Sequence, residues 1–397
     1  MILNILKSGL LNAFSQGLYR LSILFLFFLY VSTNPNNALD TTIVILLITF
    51  QSMGAAGLSM AAITFITKHK DKYEYSKVIL IISFILSLIF SLIFFFMLDI
   101  ILSFTLSEVN IISNFEKIFL SFSILILCLS STLKGFYYAF DNTKLIFLAS
   151  LAAVFSLVFT FFITKNLIYS YILSSISEFI ILFFVMFRFL KISKIIKANI
   201  DYDKINNILK FILPSFLSSF FLMPVNVLVM GFIGNFYSDK MVNLYNLGMQ
   251  IRNAIVFLPS SFSPIILKVF SSSVLNNKNI IYILYSVITF CVLIFIIILK
   301  GIFFNYFLII DYFDIILIGM ASLFYSLSMV NFNNELSLFN VNRVLFFNVF
   351  WGFSFVSLSY FLYRFFEFNI FIPLVLSYML LFFSQFIMRP KNEINCV

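Results

Sequence analysis

Long apolar stretches alternate with short polar ones along the whole chain, and this alternation sets the expected architecture. Each apolar stretch is about 20 residues long, which an α-helix needs to cross roughly 30 Å of hydrocarbon at 1.5 Å per residue. The stretches predict twelve helices, at roughly 10–31, 42–66, 78–98, 117–138, 145–163, 168–190, 208–233, 242–268, 279–299, 302–330, 344–363 and 370–388. The stretch at 302–330 is long and can be divided in more than one way.

The composition indicates that lipid is the solvent for this protein. Of its 397 residues, 62% are hydrophobic and 10% are charged, and 58 are phenylalanine. Soluble domains are about 45–50% apolar, and little chain remains between the predicted spans for a separate soluble domain. We therefore expect an all-α integral membrane protein with about 12 transmembrane helices.

The basic residues are placed at alternate ends of the predicted spans. If both termini lie in the cytoplasm, 18 of the 25 Lys and Arg residues fall at cytoplasmic ends, five at outer ends, and two inside spans. Cytoplasmic loops of membrane proteins carry such an excess. The net charge of +9 therefore favours a multi-pass protein with cytoplasmic termini and argues against a nucleic-acid partner.

A basic segment divides the chain into two sets of six spans. The sequence "KISKIIKANIDYDKINNILK" at 191–210 is the longest weakly apolar stretch. It predicts an N-terminal lobe at 1–190, a cytoplasmic linker at 191–207 and a C-terminal lobe at 208–397. Both lobes start on the same side, so a structural repeat would be parallel, with a pseudo-two-fold axis. The spacing Asp40–Gln51 returns as Asp239–Gln250, a faint sign of such a repeat that chance explains equally well.

The first span contains an arginine near its middle. Placing Arg at the centre of a membrane helix costs roughly 2.5–3.5 kcal/mol, so such a residue usually faces protein or water. Asn12, Gln16 and Arg20 recur every four residues and share one helix face, as expected for a helix that lines an inward-opening aqueous cavity. The alternative is that Arg20 reaches up to the cytoplasmic headgroups from a short span.

The eighth span carries the second mid-span arginine, Arg252. A polar face that includes Gln250 lies on the same helix, away from Arg252, so neither side of the helix is suited to lipid. We expect both residues to line a cavity. The alternative for Arg252 is a structural ion pair with a buried carboxylate.

Glu178 is the one carboxylate that falls clearly inside a predicted span. It is either a protonation site that couples transport to an ion gradient or a structural partner of an arginine. Lys134 lies near the cytoplasmic end of the fourth span, where it attracts an anion or marks the membrane interface. Gln51 is the central polar residue of the second span.

No motif indicates an enzyme. The P-loop sequence of ATP-hydrolysing proteins is absent, the lone histidine His69 lies in a charged loop, and no Cys/His cluster suggests a metal. We predict no catalytic residues, no metal and no cofactor. Prolines 214, 224, 259, 264 and 373 interrupt predicted spans, either as static kinks or as points where helices bend between two states.

Four segments resemble O-antigen and polysaccharide flippases of the multidrug/oligosaccharidyl-lipid/polysaccharide exporter superfamily. The resemblance rests on Pro214 with Ser215, a tyrosine-bearing eighth span, Leu258-Pro259 and Pro264. The segments are "LKFILPSFLSSFFLMPVNVLVMGFIGN", "NLYNLGMQIRNAIVFLPSSFSPIILKVFSS", "GAAGLSMAAITFITK" and "LKGFYYAFDNTK".

The resemblance implies a V-shaped pair of six-helix bundles around a central cavity, with alternating access. It also implies that cavity cations bind an anionic lipid head. The lipid II flippase branch carries arginines in its first and eighth helices, where Arg20 and Arg252 fall here. That branch has a further arginine in helix two, where this chain has Gln51, and two additional helices for which this chain is too short. These departures favour the O-antigen type.

The expected function is therefore that of a flippase in the bacterial inner membrane. It would move a polyprenyl-diphosphate-linked oligosaccharide from the cytoplasmic to the outer leaflet with H⁺ or Na⁺ as the coupling ion, and membrane lipid and a polysaccharide polymerase complex would be further partners. Arg20, Arg252 and Lys134 would bind the diphosphate, Asn12, Gln16, Gln51 and Gln250 would line the cavity, and Glu178 would couple the ion. The alternatives are a multidrug or small-molecule exporter of the same fold and an integral-membrane polysaccharide polymerase.

Overall fold

The computed structural model describes most of the chain, and its regular structure there is helical. The described residues are 2–34, 38–69, 71–106, 112–140, 142–189, 192–198, 202–220, 222–271, 278–302, 310–338, 340–366 and 368–388. No strand occurs within them. This confirms the all-α fold class.

Fourteen helices occur in the described part of the chain. They are α1 (Ile2–Thr33), α2 (Leu39–Lys68), α3 (Lys72–Thr105), α4 (Asn114–Ala139), α5 (Thr143–Thr164), α6 (Leu167–Phe189), α7 (Ile192–Lys197), α8 (Tyr202–Phe220), α9 (Leu222–Phe236), α10 (Asp239–Ser271), α11 (Lys278–Ile302), α12 (Tyr312–Ser337), α13 (Val341–Phe365) and α14 (Ile372–Ile387).

The helices correspond to the twelve predicted spans with two differences. The seventh predicted span, 208–233, is divided into α8 and α9, and the tenth begins at Tyr312 rather than at 302. Pro224 explains the first difference, because it has no N–H to offer the carbonyl four residues earlier, at Phe220, where α8 ends. The described part of the predicted linker also contains the short helix α7.

The five prolines stand at different positions in the helices. Pro214, Pro259 and Pro264 lie inside continuous helices, and Pro373 stands in the first turn of α14, where the missing N–H has no helical partner to lose. Only at Pro224, among the described residues, does a helix end close by. The assignment of these prolines as static kinks or as bending points stays a prediction.

Within the described ranges, eight helices are long and apolar enough to span a membrane: α2, α3, α4, α5, the Leu167–Val185 part of α6, the Asn279–Ile302 part of α11, α12 and α13. Shorter apolar helices cover Gly17–Thr33, Pro224–Phe236 and Ile372–Ile387. Large apolar side chains such as Phe96, Phe155 and Phe353 are exposed. Such a surface is unfavourable in water but suits lipid.

The helices form two lobes that meet along a few elements. Helices α1–α6 pack on one another, as do α8–α14, and the lobes meet mainly through α1 with α10 and α2 with α8 and α10. This agrees with the expected two-lobe, V-shaped class. The assignment of 191–207 as the linker stays a prediction.

The lobes are joined by polar contacts near the starts of α2 and α10, on the predicted outer face. Thr41 Oγ1 donates to Asn243 Oδ1 at 2.9 Å, and Asn246 Nδ2 donates to Thr42 Oγ1 at 3.1 Å. We call these four residues the outer latch. All four side chains are buried.

A second set of contacts joins the lobes on the predicted cytoplasmic face. Lys204, at the start of α8, pairs with Asp71 at 3.1 Å and also with Glu74, and Lys68 Nζ donates to the Ser337 carbonyl at 2.8 Å. The hydrogen bond to Glu74 raises the pKa of Lys204. We call these five residues the cytoplasmic latch. Both faces of the lobe interface are therefore held by direct contacts.

Candidate functional site

A cavity of about 490 Å³ lies between the lobes and takes its lining from both. Helices α1, α2, α4, α5 and α6 contribute from the N-terminal lobe, and α8 to α10 and α12 to α14 from the C-terminal lobe. Its volume is in the range of small-molecule binding sites. Of the predicted site residues, it brings together Arg20, Gln51, Lys134, Gln250 and Arg252.

Arg20 enters the cavity from α1 without a charged partner. Its side chain is partly exposed and forms no ion pair or hydrogen bond with the described residues. Its closest electrostatic neighbours include the phenols of Tyr325 and Tyr171, and also Arg252 from the other lobe. The guanidinium therefore faces the cavity with its hydrogen-bonding capacity unused by the described residues.

Arg252 is held in place by aromatic rings. Its Nη2 donates to the Tyr378 hydroxyl at 2.6 Å, and its guanidinium carbon lies 4.4 Å from the ring centre of Tyr325 and 4.9 Å from that of Tyr378. Its Nε is buried without a partner. No carboxylate of the described residues pairs with Arg252, so the structure does not support the alternative of a structural ion pair.

Lys134 and Glu178 form an ion pair at the N-terminal side of the cavity. The Nζ of Lys134 lies 2.8 Å from Oε1 of Glu178. Lys134 lines the cavity, whereas Glu178 lies behind it and is 3% exposed. Of the two alternatives for Glu178, the structure does not support the pairing with an arginine, because the packing of α4 against α6 makes Lys134 its partner. The coupling role stays a prediction.

The predicted polar lining residues have different environments. Gln51 is already engaged: its Nε2 donates to Ser131, and its Oε1 accepts from the Tyr171 hydroxyl. By contrast, Nε2 of Gln250 is buried without a partner. The side chains of Asn12 and Gln16 lie outside the described residues.

The C-terminal lobe supplies lining residues that the sequence reasoning missed. Trp351 stacks on Tyr378 with ring centres 5.1 Å apart, and its indole Nε1 has no hydrogen-bond partner among the described residues. Asn226 and Asn333 also line the cavity with an unpartnered atom each. The asparagines in "SMVNFNNELS", which follow the end of the tenth predicted span and lie within α12, were an available signal, because amides are costly inside a membrane helix.

The cavity thus has two chemically different sides. The N-terminal side holds Arg20 and the Lys134–Glu178 pair. The C-terminal side holds Arg252 among aromatic rings and buried amide and indole groups that lack partners. Unsatisfied buried polar groups are uncommon because each costs about 1–3 kcal/mol, and a cluster of them around one cavity is typical of a site completed by a polar ligand or by water.

The fold is that of known transporters, although sequence comparison identifies no family. No protein-family model matches the chain, and no curated protein is significantly similar to it. Among solved structures, a multidrug resistance MATE family transporter of the MOP superfamily aligns in its outward-facing conformation with a TM-score of 0.71 and 14% identity, over 98% of this chain and 96% of that one.

Two further solved structures give similar values. The inward-facing conformation of a multidrug resistance MATE family transporter of the MOP superfamily aligns with a TM-score of 0.70 and 14% identity, over 96% of this chain and 95% of that one. A MATE crystal structure in complex with MaL6 aligns with a TM-score of 0.70 and 13% identity, over 99% of this chain and 96% of that one. At such low identity the similarity shows a shared fold over nearly the whole chain.

Proposed function

We propose that the protein moves a polyprenyl-diphosphate-linked oligosaccharide from the cytoplasmic to the outer leaflet of the bacterial inner membrane by alternating access. The observation that carries this proposal is that each lobe contributes to one cavity an arginine, Arg20 or Arg252, that has no carboxylate partner among the described residues. A cationic side chain inside a membrane protein is costly without a counter-ion, and an anionic substrate supplies the counter-ion.

The two arginines suit a diphosphate in particular. A guanidinium stays protonated when desolvated and presents a planar set of donors that matches phosphate oxygens. Because Arg20 lies in the N-terminal lobe and Arg252 in the C-terminal lobe, a diphosphate bound between them is held by both halves. Movement of the lobes relative to each other would then carry the head group across the membrane.

The C-terminal side of the cavity suits the sugars. Trp351 and Tyr378 offer ring faces, and the unpartnered groups of Asn226, Gln250 and Asn333 offer donors and acceptors. A glycan has apolar ring faces with hydroxyl groups at their edges, so it uses both kinds of group. The polyprenyl tail would stay among membrane lipids.

The remaining predictions on the transport cycle belong to this proposal. The termini would lie in the cytoplasm, H⁺ or Na⁺ would be the coupling ion, and a polysaccharide polymerase complex would receive the product. Glu178 would be the coupling residue, and Lys134 would join the arginines in binding phosphate.

Export of small molecules is the second candidate. It is favoured by the solved structures of the same fold that are multidrug resistance transporters. An exporter of cationic drugs needs acidic groups in its cavity, whereas Arg20 and Arg252 here are cationic and Glu178 is already paired. The charge of the cavity therefore favours the flippase.

The test is to delete the gene in its own organism and restore it as wild type, Arg20→Ala or Arg252→Ala. We expect each variant to lose at least 90% of surface polysaccharide, since an arginine–phosphate contact is worth more than about 1.4 kcal/mol, a factor of ten. Surface polysaccharide and intracellular lipid-linked oligosaccharide are measured together, and the latter should accumulate.

The matched control is Arg364→Ala, which removes an exposed arginine outside the cavity and should restore export fully. Protein levels are compared by immunoblot. Normal polysaccharide in both cavity variants would refute the flippase. Loss of resistance to cationic dyes on deletion, with polysaccharide unchanged, would support the exporter instead.

A further inference from the structure

Lys134 lies at the boundary between the cavity and the protein interior. Its side chain is 18% exposed and lines the cavity, while the side chain of its partner Glu178 is 5% exposed. A substrate anion in the cavity can therefore approach the ammonium group from the open side, while Glu178 holds it from the closed side.

The contact between the two residues is a short ion pair, with Nζ of Lys134 2.8 Å from Oε1 of Glu178. No other described residue forms a hydrogen bond with this oxygen. A lysine ammonium on a flexible four-carbon stem is also a mobile point charge. Such a pair can exchange one anion for another with little rearrangement.

The other ionisable groups near Glu178 leave it dependent on Lys134. Tyr19 of α1 and Tyr171 of its own helix lie within electrostatic range, and phenols ionise only near pH 10. Arg20 interacts with these two tyrosines and forms no ion pair with Glu178. Within the described residues, α2, α5 and α7 place no ionisable group in ion-pair contact with Glu178.

We propose that Lys134 exchanges Glu178 for a phosphate of the substrate when the cavity is loaded, and that Glu178 then binds one proton from the aqueous phase. This inference rests on the function proposed above. Before loading, Lys134 and Glu178 neutralise each other; after loading, Lys134 pairs with the anion and Glu178 is a neutral carboxylic acid. A buried carboxylate that loses its cation is strongly disfavoured in the charged form.

The exchange sets the sign of coupling between proton and substrate. Because the anion releases Glu178 to take up a proton, and a protonated Glu178 releases Lys134 to bind the anion, each favours binding of the other. The proton therefore travels outward with the anion and reduces the charge that crosses the membrane by one. The membrane potential acting on the remaining negative charge, rather than the H⁺ gradient, would then drive the outward step. Residues 134 and 178 together would act as one proton–anion switch.

The experiment uses the purified full-length protein and geranylgeranyl diphosphate as the probe. Calorimetric titrations in two buffers of different ionisation enthalpy give the number of protons taken up per bound probe. We expect wild type to take up about one proton more per bound probe than Glu178→Gln. The probe's own change in protonation is the same in both titrations and cancels in this difference. Above the pH at which Glu178 releases this proton, wild-type affinity should fall about tenfold per pH unit relative to the variant.

Lys134→Gln is a second variant, should Glu178→Gln fail to fold. In it Glu178 is protonated before the probe arrives, so the extra proton should disappear while the probe binds more weakly. His69→Gln is the control, because this side chain is exposed and lies outside the cavity lining. This control variant should take up the same number of protons per bound probe as wild type.

The outcomes separate the two proposals. Equal proton uptake by wild type and Glu178→Gln, with the probe bound to both, would overturn the exchange and leave the flippase standing. Failure of the probe to bind wild type would overturn both.

Discussion

The surroundings of Arg252 show how a permanently charged side chain is held in a membrane protein without a carboxylate. The rings of Tyr325 and Tyr378 lie against the guanidinium, and the Tyr378 hydroxyl accepts one of its N–H groups. Ring faces attract a cation without cancelling its charge. The arginine is therefore fixed in direction and still able to bind an anion.

Removing the Tyr378 hydroxyl should cost stability while its ring remains. We expect Tyr378→Phe to lower the free energy of unfolding by about 1–2 kcal/mol, since a buried hydrogen bond to a charged group is lost. The measurement is thermal unfolding in detergent.

The chain offers a matched control for this variant. On the protein surface Arg364 donates to Tyr360, and Tyr360→Phe removes the same kind of bond where water replaces it. This control should change the melting temperature little. Equal decreases in melting temperature for the two variants would show that burial of the Arg252–Tyr378 hydrogen bond adds nothing to its contribution to stability.

Which residues line the site was only partly predictable. Arg20 and Arg252 stand out because a charge inside an apolar run is rare. Trp351 does not stand out, because 20% of the residues are aromatic and a lipid-facing ring looks the same in sequence. The partner of Glu178 was unpredictable for another reason: Lys134 is 44 positions away, and only the packing of α4 on α6 brings the two together.

At the scale of helices, α4 is positioned by a close approach to α2. A Cβ atom added to Gly135 would lie 2.8 Å from both the Cα and the carbonyl oxygen of Ser59. These are backbone atoms and cannot rotate away. Gly135 thus sets the distance between two helices of the N-terminal lobe, and it follows Lys134 directly.

Gly135→Ala should therefore force α4 away from α2. We expect a loss of about 1–3 kcal/mol in the free energy of unfolding, as for other overpacked sites, measured as a lower melting temperature. Gly301→Ala is the control, since its added Cβ would meet only the Tyr312 hydroxyl at 3.9 Å. A melting temperature unchanged in Gly135→Ala would contradict the close contact.

Hydropathy predicted the existence of the helices better than their ends. The start of α12 was placed ten residues early because 302–310 is as apolar as a span. The true start follows Asp311, whose side chain and that of Asp314 form a capping box, a polar signal that the apolar pattern hid. The division between α8 and α9 is not predictable from the apolar pattern, because Pro214 and Pro224 look alike in sequence although only Pro224 lies next to a helix end.

At the scale of the whole molecule, the outer and cytoplasmic latches hold the lobes together on opposite faces of the cavity. Alternating access requires that each face can part while the other stays joined. The outer latch consists of neutral hydrogen bonds, whereas the cytoplasmic latch includes charges. The two faces can therefore be loosened separately by different substitutions.

Lys204→Glu should open the cytoplasmic face, because it places three carboxylates together where Lys204 now pairs with Asp71 and Glu74. Asn246→Ala should loosen the outer face. The readout is labelling of Asn348→Cys, in the cavity lining, by an impermeant maleimide in a chain whose native cysteines are replaced.

We expect at least a threefold gain in labelling from the cytoplasmic side for Lys204→Glu and from the outer side for Asn246→Ala, since even about 0.7 kcal/mol changes a population threefold. Lys240→Glu alters an exposed charge outside both latches and should change neither rate. A gain from the same side in both variants would contradict the assignment of the latches to opposite faces.

The two unpaired arginines have a consequence for the idle protein. A carrier that sits in an energised membrane must not conduct ions between turnovers. Arg20 and Arg252 give the empty cavity a positive potential in surroundings of low dielectric constant, where like charges repel strongly, and fixed positive charge is a known means of excluding cations and protons from pores. The same two side chains therefore bind the anionic substrate and exclude protons from the empty cavity. The electrostatic barrier to a proton falls only when an anion binds and neutralises their charge.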